Sequence, residues 1–338
     1  MIGRLAVVVN VGDMGSSDVW DLDCETVLDG LREALPDVIY DDGSVVERTA
    51  SVAAAAGSCV VVVEYTHLDE GEFIGEGLPD IGHLFPISDE PEAAERFGSS
   101  IAGLPPAVIP SRVSGQAGGF GVGGDRRSLR LAAADVDLIR VVARANPPTA
   151  VVIQSGSATV ISEWQAEVPA VVQAWYGGCA AGPALADVLL GEIDPSGRMP
   201  LSVPNDEGDL PPFDRDATTF RYDRWHGWWH LRRTGRTAAF PFGFGLSYTT
   251  FALSDVSADE SLQGLRITGT VTNTGKRDGT DVVQAYAELP DPEAPDRFTG
   301  FIRVVVPARS RRVFERPGRL SSAHARRRGH NRVSDRFG

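Results

Sequence analysis

Asp69, Glu70, Glu72 and Glu76 crowd into the glycine-containing stretch Asp69-Glu70-Gly71-Glu72-Phe73-Ile74-Gly75-Glu76. Carboxylates packed this closely repel one another. The repulsion raises the pKa of a flanked member and holds it protonated nearer to neutral pH. That is the requirement for a proton donor in general acid catalysis, and Glu72, with acids on both sides, meets it. Taken alone, such a cluster is more often a solvated acidic loop.

Other chemistry-bearing residues give weaker patterns. His67 lies beside the acidic stretch, but no second histidine or carboxylate stands at metal-ligand spacing from it, so no metal is expected. The run Gly118-Gly119-Phe120-Gly121-Val122-Gly123-Gly124 invites a phosphate-cradle reading. No strand directly precedes it and no helix directly follows, so it reads as a lid or hinge and no nucleotide cofactor is implied. Trp225-His226-Gly227-Trp228-Trp229 offers aromatic faces on which a ligand ring could stack, with Trp225 and His226 as substrate-binding candidates, although packing between domains is the commoner use of such residues. The cysteines, Cys24, Cys59 and Cys179, form no C-x-x-C pair, so neither a zinc site nor a disulfide framework is indicated.

These residues need a scaffold. In the first 200 positions or so, apolar runs at Leu5–Val9, Val38–Tyr40, Cys59–Tyr65, Ala150–Gln154 and Ala170–Trp175 read as strands. They are too apolar for a sheet with one wet face and point to a largely parallel sheet covered on both sides. Helical spacing is found over Thr26–Leu35, Val45–Ala56, Val136–Ala145 and Ala181–Leu190, with Pro36, Pro147 and Gly191 as stops. In α/β folds of this kind functional loops follow the carboxyl ends of the strands, which directs attention to the residues from Thr66 onward.

After Phe251 the pattern becomes two-residue alternation, as in Leu265-Arg266-Ile267-Thr268-Gly269-Thr270-Val271-Thr272, Asp281–Leu289 and Phe301–Val306. That is the signature of a small antiparallel β-sandwich. The expected organisation is an α/β domain over 1–203, a connecting segment over 204–250, a sandwich over 251–318 and a basic, disordered tail over 319–338. The 338 residues, 42% hydrophobic and 23% charged, suit a core-forming protein of about two domains. With 46 acids against 32 lysines and arginines, a net charge of -14, nucleic acid and anionic membranes are disfavoured as partners. No apolar run reaches the ~20 residues of a membrane span. No signal peptide is read at the start, which leads to a cytoplasmic expectation.

Several segments in order resemble the C-terminal part of glycoside hydrolase family 3, the β-glucosidase type. Gly12-Asp13-Met14-Gly15-Ser16-Ser17 with Thr26-Val27-Leu28-Asp29-Gly30-Leu31 resembles the start of the family's second domain. Asp69 to Gly75 is similar to its acid/base loop, and Gly124-Asp125-Arg126-Arg127-Ser128-Leu129 to the stretch that follows. Ala174-Trp175-Tyr176-Gly177-Gly178, Asp194-Pro195-Ser196-Gly197-Arg198-Met199-Pro200 and Phe240-Pro241-Phe242-Gly243-Phe244-Gly245-Leu246-Ser247-Tyr248-Thr249 continue the match. Val271-Thr272-Asn273-Thr274-Gly275 resembles the fibronectin type III-like domain that many members carry, without its closing strand.

The resemblance implies retaining hydrolysis of terminal β-linked sugars, which needs two carboxyl groups about 5 Å apart, a nucleophile and a proton donor. It implies Glu72 as the acid/base, with Glu70 as second candidate one alignment slip away. Asp125 and Arg126 would position that loop through an ion pair. In the family the nucleophile is an aspartate of an N-terminal (β/α)8 barrel. Ser17-Asp18-Val19-Trp20 does not match that motif, having one residue too many. The expectation is therefore a chain carrying the acid/base half, inactive without a barrel domain or subunit, with a carbohydrate substrate and no cofactor. The alternative is a non-catalytic carbohydrate-binding or interaction protein on the same scaffold.

Overall fold

The computed structural model describes residues 1–9, 24–65, 126, 128–213, 219, 221–261, 264–287 and 296–318. Three parallel strands, β1 (Cys59–Glu64), β2 (Thr149–Gln154) and β3 (Ala170–Gln173), form the central sheet in that order. Pairing is in register from Cys59 opposite Thr149 to Glu64 opposite Gln154. Ile2 bridges in parallel to both Val61 and Asp41, extending the sheet past β1.

Successive side chains of a strand point to opposite faces, and both faces of this sheet are covered. Val61, Val63, Val151 and Ile153 pack with Val136, Ile139 and Val142 of α3 (Ala133–Ala145) and Ala53 of α2 (Val46–Ala55). Val62 and Val152 pack with Leu28 and Leu31 of α1 (Val27–Ala34) and Leu185 of α4 (Ala181–Leu190). This double cover explains the unbroken valine runs.

Local chemistry sets the helix ends. Thr26 caps α1 in a reciprocal box: its hydroxyl accepts from the Asp29 N–H at 3.1 Å, while the Asp29 carboxylate accepts from the Thr26 N–H at 3.1 Å. Gly191 ends α4 in the left-handed conformation, φ 79°.

Two expected strands are corrected. Arg4–Val7 forms a 3-10 helix rather than part of a strand over Leu5–Val9, and only Asp41 bridges after Val38–Tyr40. Gly3, at φ 116°, turns the chain off the sheet there, and a Cβ on it would stand 2.4 Å from the Val62 carbonyl oxygen. Of that apolar run Leu5 and Ala6 are buried without a ladder, while Val7 and Val9 are exposed.

The second layer pair is an antiparallel sandwich. After a short antiparallel pair, β4 (Val203–Pro204) with β5 (Ala238–Phe240), one sheet has the order β10 (Arg311–Gly318), β7 (Gly264–Asn273), β6 (Phe251–Ser261); the other pairs β8 (Gly279–Ala287) with β9 (Arg297–Val306). Ile267, Val271, Val304, Val306 and Phe314 fill the space between them. β6 and β10 are not among the expected strands.

The two layers are joined by the motifs that carried the resemblance. The Asp194 carboxylate accepts from the Ser247 hydroxyl at 2.7 Å, the Tyr248 N–H at 2.7 Å and the Thr280 N–H at 3.2 Å. Met199 and the Gly243–Phe244 turn exchange two backbone hydrogen bonds, and the Gln284 amide donates to the Gly243 carbonyl at 2.8 Å. Among the described residues no helix is long and apolar enough to cross a membrane.

Candidate active site

The carboxyl ends of β1, β2 and β3 bring polar residues to one edge of the sheet. Gln154, Ser155 and Thr159 are all buried there. Most buried polar groups of this kind are hydrogen-bonded, and Gln154 Oε1 is an exception, with no partner among the described residues. The Ser155 hydroxyl donates to the Ser157 carbonyl at 2.8 Å and accepts from the Gln173 amide at 3.0 Å. Trp175, just past β3, has a φ of 57°, in the left-handed region that a residue with a Cβ rarely adopts.

Tyr65 is held from several sides at the end of β1. Its N–H donates to the Gln154 carbonyl at 3.0 Å, and its own carbonyl accepts from the Tyr176 hydroxyl at 3.2 Å. Its hydroxyl donates to the Arg130 carbonyl. The Arg126 guanidinium lies over its ring, 4.0 Å from the centre, and donates to the Ser157 hydroxyl and, at 2.8 Å, to the Ala158 carbonyl. The chain thus leaves β1 from a fixed point and returns to one.

Glu72, Glu70 and Asp125, with His67 and the glycine run, lie outside the described residues. Arg126 is described, and its partners among the described residues are Tyr65, Ser157 and Ala158.

The connecting segment is anchored to the same region. The Glu207 carboxylate accepts from the Leu129 N–H at 2.7 Å, and Asp206 pairs with Arg130 at 2.6 Å. Three hydrogen bonds therefore tie residues 206–207 to residues 128–130.

Farther along, the aromatic residues divide into two groups. Trp228, which opens α5 (Trp228–Arg233), packs 4.5 Å from Phe242 and 6.3 Å from Tyr286 between the layers. Burial pushes the Tyr286 hydroxyl up to about 12. Trp225 instead borders an open cleft of about 510 Å³ that Arg221, Tyr222, Asp223, His230 and Arg233 also line. His226 is engaged in holding the turn, with Nδ1 3.0 Å from the Asp223 carbonyl and its ring edge-on to Tyr222. Sequence reading placed Trp225 and His226 together as sugar contacts; here Trp225 lines the cleft and His226 supports it.

Tyr65, Gln154, Ser155, Gln173 and Tyr176 were not among the expected site residues. Their signal is positional, since each polar group directly follows an apolar run where a parallel sheet presents its carboxyl edge.

With this architecture in view, residues 1–248 match the family model for the glycosyl hydrolase family 3 C-terminal domain. The chain belongs to glycosyl hydrolase family 3. A relative described as probable β-glucosidase I from Aspergillus terreus is 32% identical over 319 residues, covering 86% of this chain and 37% of that protein. The family 3 chain thus spans well under half the length of that relative. The crystal structure of the β-glucosidase from Kluyveromyces marxianus in complex with glucose superposes with a TM-score of 0.60 at 28% identity, over 82% of this chain and 28% of that one. A Bifidobacterium adolescentis β-glucosidase structure gives a TM-score of 0.67 at 23% identity, over 93% of this chain and 42% of that one, a likeness of fold.

Proposed function

We propose that this chain supplies the acid/base half of a retaining β-glucosidase-type hydrolase, with Glu72 as the proton donor and Glu70 as second candidate. The observation that carries the reading is the end of β1. Glu64 closes β1 of the parallel sheet, Tyr65 beyond it is held by Gln154, Tyr176 and Arg126, and Glu72 follows shortly after in sequence. A carboxyl on such a loop can reach a ligand bound beyond the sheet edge.

In the chemistry proposed, the protonated carboxyl gives its proton to the leaving glycosidic oxygen while a second carboxylate attacks the anomeric carbon. The donor, now ionised, then takes a proton from the water that releases the sugar. The second carboxylate is proposed to come from a barrel domain or subunit.

The test mixes the chain with a family 3 barrel and follows release of p-nitrophenol from an aryl β-glucoside. Turnover should appear only with both parts, and Glu72→Gln should reduce it by at least about a thousandfold. Turnover by the Glu72→Gln mixture at the unmodified rate would sink the assignment. The cleft at Trp225 supports a second reading, carbohydrate binding without catalysis. Under it, Glu72→Gln leaves sugar binding unchanged and no mixture turns over.

A further inference from the structure

The cleft beside α5 is cationic in a chain that is acidic as a whole. The protein as a whole carries a net charge of -14. Yet Arg221, His230 and Arg233 line this cleft, opposed among its described lining residues by Asp223. Asp223 is already engaged, its carboxylate accepting the Trp225 N–H at 2.7 Å.

Neighbouring arginines outside the cleft are committed to carboxylates: Arg232 to Asp296 at 2.7 Å and Arg236 to Asp209 at 3.3 Å. Arg221, Arg224 and Arg233 form no ion pair among the described residues. The guanidiniums of Arg233 and Arg224 instead sit over the Trp225 ring, 4.5 and 5.0 Å from its centre.

That stacking decides which ligand suits the cleft. A neutral sugar laid on Trp225 must displace a guanidinium from the ring and gains nothing from its charge. An anion pairs with Arg233 where it already stands, and the planar fork of a guanidinium matches a carboxylate or phosphate with two hydrogen bonds. Tyr222 supplies a second aromatic wall for a ring. A cleft of about 510 Å³ accommodates a sugar ring with an anionic substituent.

We propose that this cleft binds an anionic sugar, a pyranose bearing a carboxylate or a phosphate, through Arg221 and Arg233 with the ring against Tyr222. The choice of a sugar rests on the glycosidase reading above; the charge rests on the cleft alone. The experiment measures binding without turnover, so its failure is separable from failure of the acid/base assignment.

Calorimetric titration of the full chain would compare glucuronate, glucose 6-phosphate, glucose and inorganic phosphate. At least one anionic sugar should bind about tenfold or more tighter than glucose and than inorganic phosphate. Glucuronate as the better ligand assigns the carboxylate, glucose 6-phosphate the phosphate. Arg233→Gln and Arg221→Gln should each weaken that binding about tenfold, and Arg233→Lys less, with unchanged thermal unfolding showing that the fold is intact. Equal binding of glucose and the anionic sugars, equal binding of inorganic phosphate, or no binding by any sugar would each overturn the proposal.

Discussion

The Arg126 guanidinium stands 4.0 Å from the centre of the Tyr65 ring, so the described residues on either side of positions 66–125 touch at the carboxyl edge of the sheet. Arg126 also donates to Ser157 and Ala158, which follow β2. A cation over an aromatic face contributes about 0.5–2 kcal/mol, and a charged hydrogen bond about 1.5–3 kcal/mol. Arg126→Ala should therefore lower unfolding stability by about 2–4 kcal/mol in a urea titration. Tyr65→Leu should show a coupling of about 1 kcal/mol with Arg126→Ala in a double-mutant cycle. Strict additivity of the two would mean that the stacking contributes nothing.

Helices α1 and α4 touch through glycine. A Cβ on Gly30 would lie 2.1 Å from the Gly182 carbonyl carbon, and one on Gly182 would lie 2.2 Å from the Thr26 carbonyl oxygen. These obstacles are backbone, which cannot rotate away as a side chain does. Alanine is the better helix former by about 1 kcal/mol, so intrinsic propensity favours Gly30→Ala. Overpacking should win, and both Gly30→Ala and Gly182→Ala should cost about 3 kcal/mol or more, read as a lowered denaturation midpoint. A midpoint that rises would show that the helices separate freely.

Asp41 gives stability a defined acid limb. Burial alone would raise its pKa, but donors outweigh burial and hold the carboxyl below its ordinary 3.8. These are the Thr49 hydroxyl at 2.7 Å, the Gly43 N–H at 2.9 Å and Arg48 at 2.6 Å. A folded-state pKa below the unfolded one stabilises the fold above the unfolded value, and the gain is lost as pH falls through the folded value. Arg48 is half exposed, so solvent screens its share, and the buried Thr49 and Gly43 bonds carry more. Asp41→Asn should destabilise by about 1–3 kcal/mol at neutral pH. The gap between the two proteins should narrow below about pH 4. An equal gap at both pH values would assign the loss to packing.

Much of this was legible from periodicity, and the failures have physical causes. Cys59–Glu64, Thr149–Gln154 and Ala181–Leu190 were readable because burial on both faces leaves an unbroken apolar run and amphipathic helices leave a 3.6-residue one. Leu5–Val9 misled because an apolar run does not report pairing; after Gly3 the chain forms a 3-10 helix over Arg4–Val7 that buries Leu5 and Ala6 and leaves Val7 and Val9 exposed. Sequence spacing could not reveal the cationic cleft either. Arg221 and Arg233 have ordinary neighbours in the chain and meet only because α5 folds back toward Tyr222. Glu72 and Glu70 are expectations drawn from local charge and resemblance, and they lie outside the described residues.

The cysteines invert a reading that rested on local spacing. Cys24 and Cys179 are 155 residues apart, with nothing in the sequence to pair them, and the structure joins them in a disulfide. The fold explains the meeting: α1 and α4 lie side by side, and the Glu25 N–H next to Cys24 donates to the Cys179 carbonyl at 3.0 Å. Cross-linking across so long a loop removes unfolded-state entropy worth up to about 5 kcal/mol in the chain-entropy model. Peptide mapping without reductant should recover a Cys24–Cys179 linked fragment. Reduction, or Cys179→Ser, should lower the unfolding midpoint, with part of the loss offset because the contacts of Gly30 and Gly182 remain. Cys59 provides the internal control. It is 4% exposed and burial raises its thiol pKa, so it should resist alkylation in the folded protein and react once denatured. Alkylation of both Cys24 and Cys179 in the native, unreduced protein would remove the bond from this account and leave α1 and α4 held by packing alone.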